Sequence, residues 1–112
     1  LYPTAIGWHP KEKAQYGESQ YDAWKTAQRA HAIANGLFVG SVNRVGFEAS
    51  PGGDGLEFWG GSFISDPFGV LLSHASHGNE EILIAKCDRA RMEDVRRNWP
   101  FFRDRRIEYY TD

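Results

Sequence analysis

Four residues, Asp66-Pro67-Phe68-Gly69, place the tightest constraint on how this chain can fold. Aspartate opens a type I turn, proline fixes φ at the second position, and glycine closes it. Apolar runs at 58–65 and 70–73 flank those four residues. The stretch therefore predicts a β-hairpin with a four-residue connection. The rest of the chain is read relative to it: a strand–helix–strand unit before, a strand and a helix after.

Residues 1–6 are short, apolar and broken by Pro3, which reads as the end of a strand entering a loop. The opening Leu1-Tyr2-Pro3-Thr4 has no Met and no polar lead, as if a strand were already under way. Residues 7–19 read as a long connection. Helical spacing sets in at 20–35, with Trp24, Ala27, His31 and Ala34 on one stripe and Ala23, Ala30 and Ile33 widening it. Ser19 is the expected N-cap and Asn35-Gly36 the stop. Residues 37–42 read as a buried strand, parallel to the first through a right-handed crossover. Asn43 to Gly46 ends that strand, and Ser50 to Gly55 forms a flexible loop. Beyond the hairpin come a turn at 76–79, a last buried strand at 82–87, and a helix capped by Asp88 and ending at Asn98. Met92, Val95 and Trp99 share a face of that helix, and Pro100 stops it. An aromatic and arginine-rich tail, 101–112, closes the chain.

With 112 residues the chain makes one domain. Its net charge of −2 offers no field for nucleic acid or for an anionic membrane surface. A single cysteine makes no internal disulfide, which points to a reducing, cytoplasmic setting. No apolar run approaches the ~20 residues that cross a bilayer, and no charged-then-apolar leader is present.

No complete catalytic constellation can be assembled from these residues. Cys87 precedes a predicted helix, where free amides lower a thiol pKa, yet a lone cysteine ending a buried strand reads as a small hydrophobe. Ser62 lacks the glycine two positions later that a nucleophile elbow requires; Ile64 stands there. His74 and His77 fall short of a metal set, with only Glu80 and Glu81 nearby. His31 reads as a hydrogen-bonded core histidine. The basic and aromatic stretch from Arg96 to Arg106 has carboxylate partners in Asp94, Asp104 and Glu108, so it fits an inter-element or subunit contact better than a nucleic-acid patch. The glycines around Pro51 lack the ending of a P-loop. No cofactor or metal is expected.

Several segments taken together resemble the C-terminal part of a nitrilase-superfamily (carbon–nitrogen hydrolase) protein. They are Tyr2-Pro3-Thr4-Ala5-Ile6-Gly7; Gln28-Arg29-Ala30-His31-Ala32-Ile33-Ala34-Asn35; Val42-Asn43-Arg44-Val45-Gly46; and Gly60-Gly61-Ser62-Phe63-Ile64-Ser65-Asp66-Pro67-Phe68-Gly69. Asp88, Arg96, Trp99-Pro100 and Arg103-Asp104-Arg105-Arg106 match the family's terminal helix and tail. The Pro-Thr-Ala-Ile-Gly stretch resembles the branch acting on N-carbamoylputrescine.

The resemblance implies an α/β fold of α+β type, the C-terminal portion (1–112) of a four-layer α-β-β-α nitrilase-like sandwich. It implies a thiol-dependent amidohydrolase whose nucleophile, base and lysine belong to an N-terminal half absent here, so this chain contributes no catalytic residue and is inactive alone. It also implies a small-molecule amide or carbamoyl amine substrate and a homo-oligomer, with neither nucleic acid nor membrane as partner. The substrate-binding wall would be Pro3, Thr4, Ala5, Ile6, Trp8 and His9, with Trp59 at the rim. Where the resembled branch has an acidic residue near His9 for a distal ammonium, this sequence has histidine, and Glu12 or Glu18 is the candidate substitute. Thr4 either orients substrate or bonds backbone at a strand end. Alternative readings are a β-ureidopropionase, an ω-amidase, or a non-catalytic truncated fragment.

Overall fold

The computed structural model describes residues 1–110. Residues 111 and 112, the end of the expected tail, lie outside the described residues. In chain order the elements are β1 (Tyr2–Thr4), β2 (Gly7–Trp8), α1 (Pro10–Asn35), β3 (Val39–Asn43), β4 (Val45–Glu48), β5 (Leu56–Trp59), β6 (Phe63–Ser65), β7 (Leu71–His74) and α2 (Arg89–Asn98). They form two sheets, ordered β1-β3-β6-β7 and β2-β5-β4. The expected α/β class and the parallel pairing of β1 with β3 are both present.

Besides the crossing through α1, the chain passes directly between the sheets three times, at Ala5-Ile6, at Arg44 and at Gly60-Gly61-Ser62, and these three passages are joined by hydrogen bonds. Arg44 N–H donates to Thr4 O (3.2 Å), and Gly60 N–H donates to Arg44 O (3.0 Å). The Asn43 side chain joins all three. Its Nδ2 donates to Ile6 O (3.0 Å) and Gly60 O (3.1 Å), while its Oδ1 accepts from Ile6 N–H (3.0 Å). Its backbone N–H donates to Ser62 Oγ at 2.9 Å. Buried backbone groups need partners, and at a sheet-to-sheet passage no ladder supplies them.

The run at 58–65, expected as one strand, is therefore two. Phe58 and Trp59 pair in the three-stranded sheet, and Phe63 to Ser65 pair in the other. The break falls at Gly60 (φ 54°) and Gly61 (φ 63°), left-handed conformations that glycine adopts without strain. β4 is a further element, where the sequence predicts only the end of the preceding strand: it pairs with β5 across a turn closed by Gly53 N–H donating to Ser50 O.

The Asp66 turn forms as expected. Gly69 N–H donates to Asp66 O at 2.8 Å, and Asp66 Oδ1 accepts from Phe68 and Val70 N–H. The β6–β7 hairpin that it closes carries a register shift between Ile64 and Ser65. Helix α1 starts ten residues before the expected position. His9, not Ser19, is its N-cap, accepting from Lys11 N–H through Nδ1, and Pro10 occupies the first turn. Gly17 sits inside the helix because the Trp8 indole packs where a side chain would go, 3.2 Å from its ideal Cβ.

The buried face of α1 is also rotated from the expected stripe. Tyr21, Gln28 and Ala32 are buried, whereas Ala27, Ala34 and His31 are exposed. Alanines recur nearly all round this helix, so spacing alone does not choose a face; the aromatic contacts of Tyr21 and Trp24 with Trp59 do. His31 instead lies beside the Tyr2 ring.

Two further expectations fail together. Residues 82–87 form no strand, and Cys87 is exposed rather than buried. Ile82 and Ile84 are 90% and 84% exposed, since no neighbouring strand among the described residues pairs with this extended segment. Strand β3 is likewise covered on one face only: Val39, Ser41 and Asn43 are buried and Val42 is exposed. Helix α2 forms as expected, with Asp88 Oδ1 capping Ala90 N–H and Val95 buried. Arg96 Nε donates to the α1 C-cap carbonyl of Gly36 at 3.0 Å, the kind of inter-element arginine contact expected of this stretch.

Gly61→Ala tests the passage between the sheets. A Cβ there would lie 2.6 Å from the Tyr21 ring on a positive-φ backbone, so the substitution is expected to cost about 2 kcal/mol or more, read as a lower urea midpoint.

Candidate functional site

The sheet passages set where the candidate wall residues stand. Both backbone polar groups of Ile6 are held by Asn43, and Ile6 O also accepts from Trp59 N–H (3.4 Å). This fixes the turn from β1 into β2. Gly7 follows because β2 crosses β5 closely: its ideal Cβ would lie 2.1 Å from Glu57 O. Beyond it, His9 caps α1 and swings the helix back over β5.

Between that turn, the first half of α1 and β5 lies a cavity of about 560 Å³. Ile6, His9, Glu12, Trp24, Leu56 and Trp59 are among its lining residues. The structure thus brings together two of the expected wall residues, the expected rim tryptophan and one of the two candidate carboxylates. Glu12 lies in the first turn of α1 and accepts from Gln20 Nε2 at 3.3 Å. From the cavity lining His9 also reaches Asp54, 3.9 Å from its carboxylate, and Lys11 binds the same carboxylate at 2.6 Å.

The other expected residues lie elsewhere. Pro3 and Ala5 are exposed on the β1 side. The Thr4 hydroxyl lies 2.9 Å from Asn43 Oδ1 and 3.1 Å from Val42 O. Both are acceptors, so its proton is committed to the scaffold and only its lone pairs remain for a ligand. Trp8 is buried, and its Nε1 donates to Gly17 O at 2.7 Å. It lines a second cavity with Lys13, Glu18, Tyr21, Lys25 and His77. Glu18 therefore belongs to a different site from His9 and Glu12.

An aromatic cluster forms the wall between the two cavities. Trp59 lies 5.7 Å from Trp8, 6.0 Å from Tyr21 and 5.9 Å from Trp24, centroid to centroid. His77 packs edge-on to Tyr21 and its Nδ1 lies 2.6 Å from Trp59 O. His74 Nε2 lies 2.9 Å from the Tyr21 hydroxyl. Burial and the neighbouring Asp22 carboxylate hold the Tyr21 phenol above its usual range. Burial, then Lys25 and His77, hold His74 below the ordinary histidine value, with Glu81 opposing. Ser76 donates to Glu81 from both hydroxyl and backbone and keeps that carboxyl low. Both rim histidines are thus committed to hydrogen bonds, and among the described residues no three His, Cys, Asp or Glu side chains group as a metal set. Ser62 Oγ bonds the Asn43 backbone and is likewise structural.

Comparison with known proteins places this arrangement. The model of the carbon-nitrogen hydrolase family matches residues 5–97. The chain belongs to the carbon–nitrogen hydrolase family. An N-carbamoylputrescine amidase of Arabidopsis thaliana is 35% identical over 98% of this chain, and a citrullinase of Francisella tularensis is 38% identical over all of it. A carbon-nitrogen hydrolase from Helicobacter pylori G27 superposes with a TM-score of 0.89 at 47% identity, covering 96% of this chain. A CN-hydrolase superfamily protein from Xanthomonas campestris superposes at 0.69 with 27% identity. The chain spans 37% of the length of the Arabidopsis relative and 37% of the Helicobacter chain. The resemblance read from the sequence, and the nitrilase-like fold that it implied, both stand. No helix among the described residues is long and apolar enough to cross a membrane.

Asn43 was legible only as part of a family motif; no periodicity marks a residue that joins three sheet passages. Asn43→Ala removes four side-chain hydrogen bonds and leaves the buried Gly60 carbonyl and the part-buried Ile6 N–H without their partner, an expected loss of about 3 kcal/mol in urea titration. The lowered His74 pKa has a definite sign: the unfolded chain takes up the proton more readily. Stability from this site is full above pH 6.5, the ordinary histidine value, and falls as pH drops through the folded-state pKa. Urea midpoints measured from pH 7.5 down to pH 5 should fall, and less steeply in His74→Gln.

Proposed function

We propose that this chain is the C-terminal part of a thiol-dependent carbon–nitrogen hydrolase that cleaves N-carbamoylputrescine to putrescine, carbon dioxide and ammonia. The observation that carries the reading is the match to N-carbamoylputrescine amidases over nearly the whole chain, which includes the Tyr2-to-Gly7 stretch leading into the cavity. In this reading the nucleophilic cysteine, a glutamate base and a lysine come from polypeptide N-terminal to these residues. The thiolate attacks the carbamoyl carbon, one amine leaves with a proton, and water hydrolyses the thioester-like intermediate. Dividing the cleavage in two lowers each barrier, and oxyanion stabilisation supplies much of the rest.

This chain's share is the wall: Pro3, Thr4, Ala5 and Ile6 beside the reacting group, His9 with Glu12 and Trp59 further along, and Trp8 behind them. The exposed apolar residues Val42, Leu72, Ile82 and Ile84 support a missing half that covers them. A reducing cytoplasm suits a thiol enzyme, polyamine biosynthesis is the matching context, and the arginine and aromatic tail suits a homo-oligomer contact. A second reading rests on His9 beside Glu12: an imidazole and a carboxylate at one cavity suit a ureido amino acid, as the name of the citrullinase relative suggests.

A substrate panel on the full-length protein decides between them. Ammonia release from N-carbamoylputrescine, abolished by thiol alkylation and retained in Cys87→Ser, is the expected result. Preferential turnover of citrulline, N-carbamoyl-β-alanine or an ω-amide would replace the first reading with another.

A further inference from the structure

We propose that Asn43 is a positioning residue of the hydrolase: its carboxamide aims the Ala5 carbonyl at the reacting end of the substrate. The inference rests on the reading above, in which residues 3–6 stand beside the reacting group, and adds to it a residue that does not itself touch substrate. The Asn43 side chain has two donors and one oxygen with two lone pairs. Both donors are spent on Ile6 O and Gly60 O, and the oxygen accepts from Ile6 N–H and the Thr4 hydroxyl. With the residue only 7% exposed and its full hydrogen-bonding capacity used inside the chain, nothing is left for a ligand. Asn43 therefore acts on a reaction through Ile6 and its neighbours.

The peptide between Ala5 and Ile6 carries that effect. It is planar and trans, so its N–H and C=O point in opposite directions. Ile6 N–H points to Asn43 Oδ1 at 3.0 Å, on the β3 side of β1. The Ala5 carbonyl therefore points away from β3, toward the side of β1 that pairs with no strand among the described residues. It accepts no hydrogen bond among the described residues, and Ala5 is exposed. The carbonyls on either side differ: Thr4 O accepts from Arg44 N–H, and Ile6 O accepts from Asn43 Nδ2 and Trp59 N–H. Between two carbonyls bound to the scaffold, one is held outward and unpaired.

A carbonyl held in this way is an acceptor for the N–H of a carbamoyl or amide group, which the ureides and amides of the substrate panel share. Its direction bears on rate, because a group displaced by about 1 Å from the productive geometry can cost about 10²-fold. Asn43 holds Ile6 by both of its backbone polar groups, so the peptide before it cannot turn freely. Ser62 in turn holds Asn43, accepting from its backbone N–H at 2.9 Å and donating to its backbone carbonyl at 3.3 Å. The line from Ser62 through Asn43 to the Ala5 carbonyl thus joins the third sheet passage to the first.

The test compares Asn43→Ala with Asn43→Asp in the full-length protein, with kcat and KM corrected for the folded fraction and stability read by urea titration. Both variants lose the donors to Ile6 O and Gly60 O, so both lower the urea midpoint. The aspartate keeps an oxygen for Ile6 N–H, and the alanine does not. In Asn43→Ala kcat should fall roughly tenfold or more, with KM changed less. In Asn43→Asp it should return to within about threefold of the parent while the midpoint stays low. An equal loss of kcat in both variants, or no loss in folded Asn43→Ala, overturns the inference. Where either variant fails to fold, Ser62→Ala carries the test, since it loosens Asn43 without removing the carboxamide. A roughly threefold fall in kcat is then expected, and unchanged kcat and KM overturn the inference. The kinetics use whichever ureide or amide the parent protein turns over. A substrate other than N-carbamoylputrescine removes the substrate reading and leaves the Asn43 comparison to be read on that substrate; no turnover of any of them overturns both.

Discussion

The Asn43 carboxamide is the constraint on which the two sheets depend. A chain that passes three times between sheets within a few ångströms leaves backbone donors and acceptors that no ladder satisfies, and burying them unpaired is costly. One planar amide, with two donors and an acceptor of two lone pairs, meets that need at Ile6 and Gly60 together and also accepts from the Thr4 hydroxyl. Aspartate would lack the donors, and a serine would not span the passages. The Gly60-Gly61 pair is the complement: two left-handed residues let β5 leave one sheet and β6 enter the other while the Tyr21 ring packs against the bend. Amide and glycines together hold Ile6 and Trp59 at fixed places, and those two residues begin and end the inner wall of the candidate site.

The surface tells the complementary story. The four-stranded sheet is well covered only where α1 lies against it, and the segment at 82–87 runs extended with both isoleucines in solvent. An extended apolar segment beside a half-covered sheet is the arrangement expected when the strands that would pair and cover it lie elsewhere in the polypeptide. That also explains why the sequence reading of 82–87 as a buried strand was sound chemistry and yet failed here. Ile82, Ile84 and Cys87 have the composition of a core strand, but burial is a property of neighbours as well as of residues.

Other parts were legible for local reasons. The Asp66 turn formed because its whole specification is contained in four consecutive residues, and the Asp88 cap because a cap needs only the next two amides. The parallel pairing of β1 with β3 followed from an intervening helix. Local rules failed where a tertiary contact chose among equivalent options. Residues 10–19 of α1 are polar and carry no apolar stripe, so nothing in their spacing announced a helix; His9 and Pro10 start it, and the Trp8 indole over Gly17 holds it down. Similarly, the alanines of α1 fit either face, and Tyr21 and Trp24 decided. Of the candidate wall, Ile6 and His9 converge with Glu12 because the β1–β2 turn and the helix start are adjacent in sequence. Trp8 points the other way from Gly7, its neighbour in β2 and part of the first cavity's lining, because successive residues of a strand face opposite sides.

That alternation bears on how the site discriminates among ligands. Ile6 and Trp8 are two residues apart but separated by the turn into β2, so the chain presents an aliphatic wall to one cavity and an indole to the other. The tryptophan partition between them then separates two charge environments, one containing Lys13 and Lys25 with Glu18 and Asp22, the other Glu12. Had Lys11 and His9 faced Glu12, the first cavity would hold a neutral ion pair and favour no charged ligand. Instead Asp54, from the β4–β5 turn, draws both toward itself and leaves Glu12 to the cavity. A surface ion pair of this kind adds little to stability. Lys11 and Asp54 lie outside the cavity lining while His9 stands in it, so the β4–β5 turn reaches the candidate site through His9 as well as through Leu56 and Trp59 of its strand.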